Sequence, residues 1–194
     1  MSATIPASAA QAFAQDGYVV VRELIDPALA RLLCAAVESL EAGQALRAAS
    51  GGPTRAAGIY GDGLFETMLD RLRPSIEAAT GRRLHPTYSY ARMYRLGDAL
   101  IRHRDRAACE ISVSLCVGQA PADPPWPLFV EGAAGAYAAK LLPGDALVYR
   151  GIDLPHWREP FAGERAAQAF LHYVDADGPH ADQKFDGRAA LGAL

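Results

Sequence analysis

Apolar positions recur along this chain at two spacings. In the first half Leu29, Leu32, Leu33, Ala36, Val37 and Leu40 fall on one stripe of a helix with 3.6 residues per turn. Asp26-Pro27 precedes that stripe, an N-cap followed by proline at the first helical position, so the spacing predicts a helix from there. A second stripe, Phe65, Met68, Leu69 and Leu72, predicts a helix over 64–72. Pro74 is expected to interrupt it, 75–80 to resume it and Gly81 to stop it. Before the first stripe, Asp16-Gly17 reads as a turn into a short strand, Tyr18-Val19-Val20-Val21, and residues 1–12 read as a loose start. Residues 42–63, rich in Gly, Ala and Arg, have no clean period. They read as a long loop, a length often found in lids.

After Gly81 the period becomes two. Over 87–93 the chain alternates, with Tyr88, Tyr90, Arg92 and Tyr94 on one face. Over 110–117 Ile111, Val113, Leu115 and Val117 alternate with Ser112, Ser114 and Cys116. Further strands are expected over 127–130, 137–142, 146–149 and 166–174, with a Pro-rich loop at 118–127 and a Pro-Gly-Asp turn at 143–145. Helices first, then a succession of short strands with turn signals, predict a mainly β chain with flanking helices: a double-stranded β-helix, or cupin-like jelly roll. One domain is expected over 1–194. Within it 13–80 form a helical N-terminal support, 84–175 the jelly-roll core and 176–194 an irregular tail.

Composition narrows the class. The 194 residues are half hydrophobic and one-fifth charged, with a net charge of −3, as in a globular chain. A mildly acidic balance argues against nucleic acid or an anionic membrane as partner. Cys34, Cys109 and Cys116 lack metal-site spacing, and an odd count in apolar surroundings fits thiols in a reducing cytoplasm. No signal peptide and no membrane span is expected, and the location expected is cytoplasmic.

The candidate chemistry centres on His103-x-Asp105. Side chains one residue apart on an extended segment share a face, and an imidazole with a carboxylate suits a divalent metal such as iron(II). A second histidine returning on a neighbouring strand would complete the set, and His156 is placed to do so. Alone, His-x-Asp is also what a surface histidine beside a charge looks like.

The ordered set of motifs resembles the iron(II)- and 2-oxoglutarate-dependent dioxygenases. It comprises Tyr94-x-x-Gly97, His103-x-Asp105, the Pro-Gly-Asp turn, His156, Glu159-Pro160-Phe161 and Gly163-x-Arg165. The opening Phe13-x-x-Asp16-Gly17-Tyr18 is similar to the phytanoyl-CoA hydroxylase branch, and 94–105 to the prolyl hydroxylase branch. The resemblance spans roughly residues 13–175. It implies Fe(2+) on His103, Asp105 and His156. It also implies 2-oxoglutarate with its far carboxylate on Arg165, helped by the Tyr94 hydroxyl and by Ser112 or Ser114. Molecular oxygen would be the second co-substrate, and the keto acid would be split to succinate and carbon dioxide. Asp105 stands where halogenating relatives carry a small residue, so the resemblance implies hydroxylation of an unactivated carbon, on a small molecule or a protein side chain.

Other residues carry two readings. Arg92 and Tyr90, on the Tyr94 face, read either as contacts to an anionic substrate or, for Arg92, as the partner of a protein acid such as Asp98 or Glu110. Arg102, Arg104 and Arg106 read as a solvated edge before an anion-steering rim. Trp126 caps the mouth of the site or plugs one end of the roll. His172, on the face opposite Arg165, reads as packing or a tail anchor, and His85 and His180 as solvent histidines. Two rival functions remain: a non-catalytic ligand-binding roll, and a metal-binding roll independent of 2-oxoglutarate. The substrate and the oligomeric state are not legible at this level.

Overall fold

The computed structural model describes residues 5–48 and 52–193. Its elements, in chain order, begin with α1 (Ala9–Asp16), β1 (Tyr18–Val21), α2 (Pro27–Ala42), β2 (Ala57–Tyr60) and α3 (Gly63–Thr80). Then come β3 (Leu84–Arg95), β4 (Leu100–His103), β5 (Ile111–Ala120), β6 (Leu128–Gly132) and β7 (Gly135–Ala139). The last strands are β8 (Ala146–Arg150), β9 (His156–Arg158) and β10 (Arg165–Asp175). They form two antiparallel sheets, one of six strands in the order β1-β8-β5-β10-β3-β2 and one of four in the order β4-β9-β6-β7. This is the expected double-sheet jelly roll, with helices along one sheet.

The larger sheet is buried on both faces, so its central strands carry two different patterns at once. In β5, Ile111, Val113, Leu115 and Val117 pack outward against the helices, in one core with Leu33, Val37, Leu69 and Ile76. Ser112, Ser114 and Cys116 point into the space between the sheets and are equally buried. Polar side chains on the inner face of a fully buried strand need partners there. The interior between the sheets is therefore the place to look for chemistry.

Three local expectations change. The loose start contains helix α1, which is anchored by buried Phe13 and closed by Gly17 at φ +79°, whose N–H bonds the Phe13 carbonyl. Pro74 does not interrupt α3: Leu69, Leu72, Ile76 and Ala79 bury one continuous stripe across it, and that burial offsets the roughly 3 kcal/mol cost of an interior proline. The 42–63 stretch contains β2, which pairs with the edge of β3 (Gly58 opposite Arg92, Tyr60 opposite Tyr90). The part of that stretch at 49–51 lies outside the described residues. His156 returns on a strand, β9, as expected. Among the described residues, no helix is long and apolar enough to cross a membrane.

Candidate metal centre and its pocket

His103 ends β4 and stands directly opposite His156 on β9. Antiparallel pairing thus brings together two imidazoles that are distant in sequence, with ring centroids 4.2 Å apart. Asp105 follows β4 and is fixed by its own backbone, whose N–H donates to the Gly151 carbonyl at 2.9 Å. Its Oδ1 lies 3.4 Å from His103 Nε2 and 3.6 Å from His156 Nε2. One ligand atom from each of the three residues meets within metal-binding range.

The tautomers make this convergence informative. His103 Nδ1 lies 2.8 Å from the Ile101 carbonyl, and His156 Nδ1 3.0 Å from the Leu154 carbonyl. A carbonyl oxygen only accepts, so in each ring Nδ1 carries the proton. With Nε2 unprotonated, each imidazole aims a lone pair at a carboxylate oxygen. Three acceptors facing one another repel unless a cation lies between them, so the donor set fits a divalent metal held by two nitrogens and one oxygen.

The other Asp105 oxygen is held separately. Ser112 Oγ lies 2.9 Å from Asp105 Oδ2 and 3.0 Å from His172 Nδ1. A hydroxyl has one proton, and the carboxylate takes it, so Ser112 accepts from the His172 Nδ1–H. His172 thereby orients Asp105 through Ser112. Burial pushes His172 down to about 4, which keeps the ring neutral. Gly151 completes the cradle, because a methyl there would collide with Asp105 Oδ2 and Ser112 Oγ. A second convergent group, Asp105, Cys109 and His172, lies alongside. It is poorly suited to a metal, because Ser112 already joins Asp105 to His172 and burial pushes the Cys109 thiol up to about 12.

Deeper between the sheets lies Arg158, only 2% exposed and two residues beyond His156 on the same face of β9. Its guanidinium donates to the Trp126 carbonyl at 2.8 Å, to Ser114 Oγ at 3.3 Å and to Gln168 Oε1 at 3.2 Å. All three partners are neutral. Its Nε and the hydroxyl of fully buried Tyr94 have no partner among the described residues. A buried cation with no anion beside it and an unused phenol nearby form a receptor for a carboxylate.

Several expectations shift accordingly. Arg165 does not reach the site: it lies on the helix-facing side of β10, where its Nε donates to Glu38 of α2 at 2.8 Å, and its side chain is 41% exposed. The opposite-face relation between Arg165 and His172 holds, but His172 is the inward one. Ser112 serves Asp105, and Ser114 serves Arg158. Trp126 is not at the mouth. It packs against Tyr94 and Phe161 with its ring under Arg158, as a plug at the inner end. Arg102 is an outer-edge residue paired with Glu131. Arg92 bonds the Ala56 carbonyl, not Asp98 or Glu110. Arg158, Gln168 and the His172–Ser112 relay were missed; the signal for Arg158 was its period-two spacing from His156.

The triad opens into a cavity of about 340 Å³, small for a ligand pocket. Tyr60, Tyr88 and Tyr90 form an aromatic wall, with the Tyr60 and Tyr88 rings stacked at 5.0 Å. The C-terminal segment closes one side, where Asp186 accepts from the Tyr60 hydroxyl at 2.7 Å and pairs with both ends of the Arg106 guanidinium.

No protein-family model matches the chain, and no curated protein matches it in sequence. Solved structures do resemble it. A Pseudomonas putida prolyl-4-hydroxylase superposes with a TM-score of 0.69 at 19% identity, over 86% of this chain and 97% of that one. The non-haem α-ketoglutarate-dependent carbocyclase SnoK of nogalamycin biosynthesis gives 0.74 at 12% identity, over 90% and 86%. EctD from S. alaskensis, with 2-oxoglutarate and 5-hydroxyectoine, gives 0.69 at 17% identity, over 98% and 84%. The chain has the jelly-roll fold of the α-ketoglutarate-dependent oxygenases.

Proposed function

We propose that this protein is an iron(II)- and 2-oxoglutarate-dependent oxygenase that hydroxylates an unactivated carbon. The observation that carries this reading is the pairing of two features on β9. His156 closes a ring of three convergent lone pairs, and Arg158, one strand repeat away, is a buried cation lacking an anion. A metal alone would account for the first, whereas a metal together with a dicarboxylic keto acid accounts for both.

When bound, iron(II) with 2-oxoglutarate supplies a two-electron oxidation: dioxygen is consumed, the keto acid leaves as succinate and carbon dioxide, and a substrate C–H becomes C–OH. The chain's residues make that possible. His103, Asp105 and His156 would hold the metal by three ligands and leave positions for co-substrates. Ser112, backed by His172, holds Asp105 Oδ2 and leaves Oδ1 as the oxygen that would meet the metal. Arg158, with Tyr94 and Ser114 beside it, takes the far carboxylate of the keto acid and fixes its orientation. Trp126, Phe161 and Tyr94 exclude water behind that carboxylate. Tyr149, its phenol pushed well above the usual value by burial, stays neutral against the His156 ring at 4.7 Å. With Asp105 as a ligand a halide would lack the position it needs, which favours hydroxylation over halogen transfer. EctD and the prolyl-4-hydroxylase are named with hydroxylated chemistry, while SnoK is a carbocyclase, so the fold itself serves more than one outcome.

The test is succinate release with iron(II), 2-oxoglutarate and air, against His103→Ala. Release that depends on iron, on 2-oxoglutarate and on His103 supports the reading. No release above that of the variant, together with no binding of 2-oxoglutarate to the metal-loaded protein, sinks it.

A further inference from the structure

The charge of the pocket is one-sided. Among its described lining residues the only acid is Asp105, which faces the two histidines, against three arginines, Arg92, Arg104 and Arg106. Arg106 is neutralised by Asp186 across two hydrogen bonds. Arg104 lies on the exposed rim, where its Nε donates to the Asp153 carbonyl at 2.9 Å. Arg92 differs from both. It points inward from the middle of β3, its guanidinium lies 4.3 Å over the Tyr90 ring, and its polar contact is the Ala56 carbonyl at 2.7 Å. The two acids weighed as its partners are otherwise engaged: Asp98 accepts the Arg95 N–H, and Glu110 the Asp175 N–H.

The fold makes room for this arrangement. Gly58 stands directly opposite Arg92 across β2 and β3. A methyl there would collide with the Tyr90 ring and with Arg92 Cγ, so the bare glycine is what lets the arginine lie flat along the aromatic wall. A half-buried guanidinium held in one pose by a ring and a carbonyl, with an edge turned to the cavity, is preorganised for an anion.

We propose that the prime substrate is a small-molecule carboxylic acid, its carboxylate held by Arg92 and its carbon frame lying along Tyr88 and Tyr90. This rests on the oxygenase reading above. One guanidinium with one face stacked and one amino group already engaged offers a single edge, which matches the two oxygens of one carboxylate. A phosphate monoester carries more charge and calls for a second cation; of the other lining arginines, Arg106 is spent on Asp186 and Arg104 lies on the exposed rim. The far carboxylate of the keto acid has its own receptor at Arg158, which is fully buried and bordered by Tyr94. The cavity is shared with that co-substrate and walled by Pro53 on one side and the Asp186 segment on the other, so a small molecule fits better than a folded polypeptide.

The experiment uses full-length protein loaded with Mn(II) and 2-oxoglutarate, which cannot turn over. Short aliphatic and aryl-substituted carboxylic acids, each beside its primary amide, are titrated and followed by ligand-observed NMR. The acids are expected to bind about tenfold more tightly than their amides, a preference lost in R92M and weakened in R92K, which keeps the charge without the fork. Absence of a carboxylate preference in the wild type, or an unchanged preference in R92M, overturns the proposal. The dissociation constant for 2-oxoglutarate is read in the same variants. If R92M weakens 2-oxoglutarate as much as the acids, Arg92 belongs to the co-substrate and the proposal falls. Failure of wild-type protein to bind Mn(II) and 2-oxoglutarate is a separate outcome: it removes the oxygenase reading and this inference with it.

Discussion

Ser112 Oγ donates to Asp105 Oδ2 at 2.9 Å, and that one bond decides which oxygen of Asp105 is left for a metal. Partners at this remove from a metal commonly change its affinity by 10- to 100-fold. Ser112→Ala should therefore weaken Mn(II) or Co(II) binding by about tenfold or more. The variant should keep its fold, since only one hydroxyl is removed. Metal titration beside a melt in chelator separates the two effects. Wild-type metal affinity in the variant would show that Asp105 needs no such orientation.

Gly151→Ala should act at the same place by a different route. The added methyl has no room beside Asp105 Oδ2, the Cys109 carbonyl and Ser112 Oγ. Two of these atoms belong to the cradle, and the carbonyl is backbone, so the carboxylate is the group that must move. Loss of measurable metal binding is expected. A crystal structure with Asp105 unmoved would refute the steric argument.

Arg158 and Arg165 make opposite forecasts. Arg158→Met should raise the constant for 2-oxoglutarate at least tenfold, because a charged carboxylate loses its only buried cation. A melt is run beside that constant, because Met also strands the Trp126 carbonyl, Ser114 and Gln168 without their donor. Arg165→Met removes an exposed pair with Glu38, worth about 1 kcal/mol or less, and should leave the 2-oxoglutarate constant where it was. Reversal of the two results would restore Arg165 to the site.

That contrast shows what the sequence could and could not decide. Period-two reasoning placed Tyr88, Tyr90, Arg92 and Tyr94 on one face, and they line or border the pocket. Applied to His156, the same rule puts Arg158 inward, yet motif order drew attention to Arg165 instead. On β10, Ala166, Gln168, Phe170 and His172 face the interior, so the parity of the strand sends Arg165 to the helices. A motif records spacing along the chain, but which face a residue takes is fixed by pairing and by bulges, such as the one between Ala167 and Gln168. Helix α1 and strand β2 escaped notice for a related reason. Alanine-rich and glycine-containing stretches have weak patterns of their own, and both are held by tertiary partners.

His172 predicts a pH dependence. Burial lowers it from 6.5 to about 4, so the unfolded chain binds the extra proton first as pH falls. Its contribution is complete above pH 6.5 and is lost progressively down to about pH 4. A shift of this size corresponds to about 3 kcal/mol. His172→Gln, which can still donate to Ser112, should flatten that acid limb when both proteins are melted in chelator. Parallel stability curves from pH 7 to pH 4 for the two proteins would show that His172 is not the titrating group.

The C-terminal segment gives the last prediction. Residues 176–194 were expected to be an irregular tail; the described part, 176–193, holds a kinked 3-10 turn over Ala181–Gly187 and is tied down at one buried point. Arg188 donates to Glu66 Oε1 at 2.7 Å and to the Thr87 carbonyl at 2.9 Å, and its guanidinium lies over the Tyr60 ring. The Glu66 side chain is only 3% exposed, so removing Arg188 leaves a carboxylate deep in the fold without its cation. Breaking one side of such a pair costs about 3–5 kcal/mol. For a chain of this size Arg188→Met should lower the melting temperature by roughly 10 °C. Glu66→Gln in the same background should recover part of the loss, because the stranded charge is gone. The segment also carries Asp186 to Tyr60 and Arg106, so loosening it should open the pocket wall and raise hydrogen exchange in β2 and the first half of β3. A single variant that melts like the wild type, or a double variant less stable than the single, would mean that the ion pair does not hold the tail.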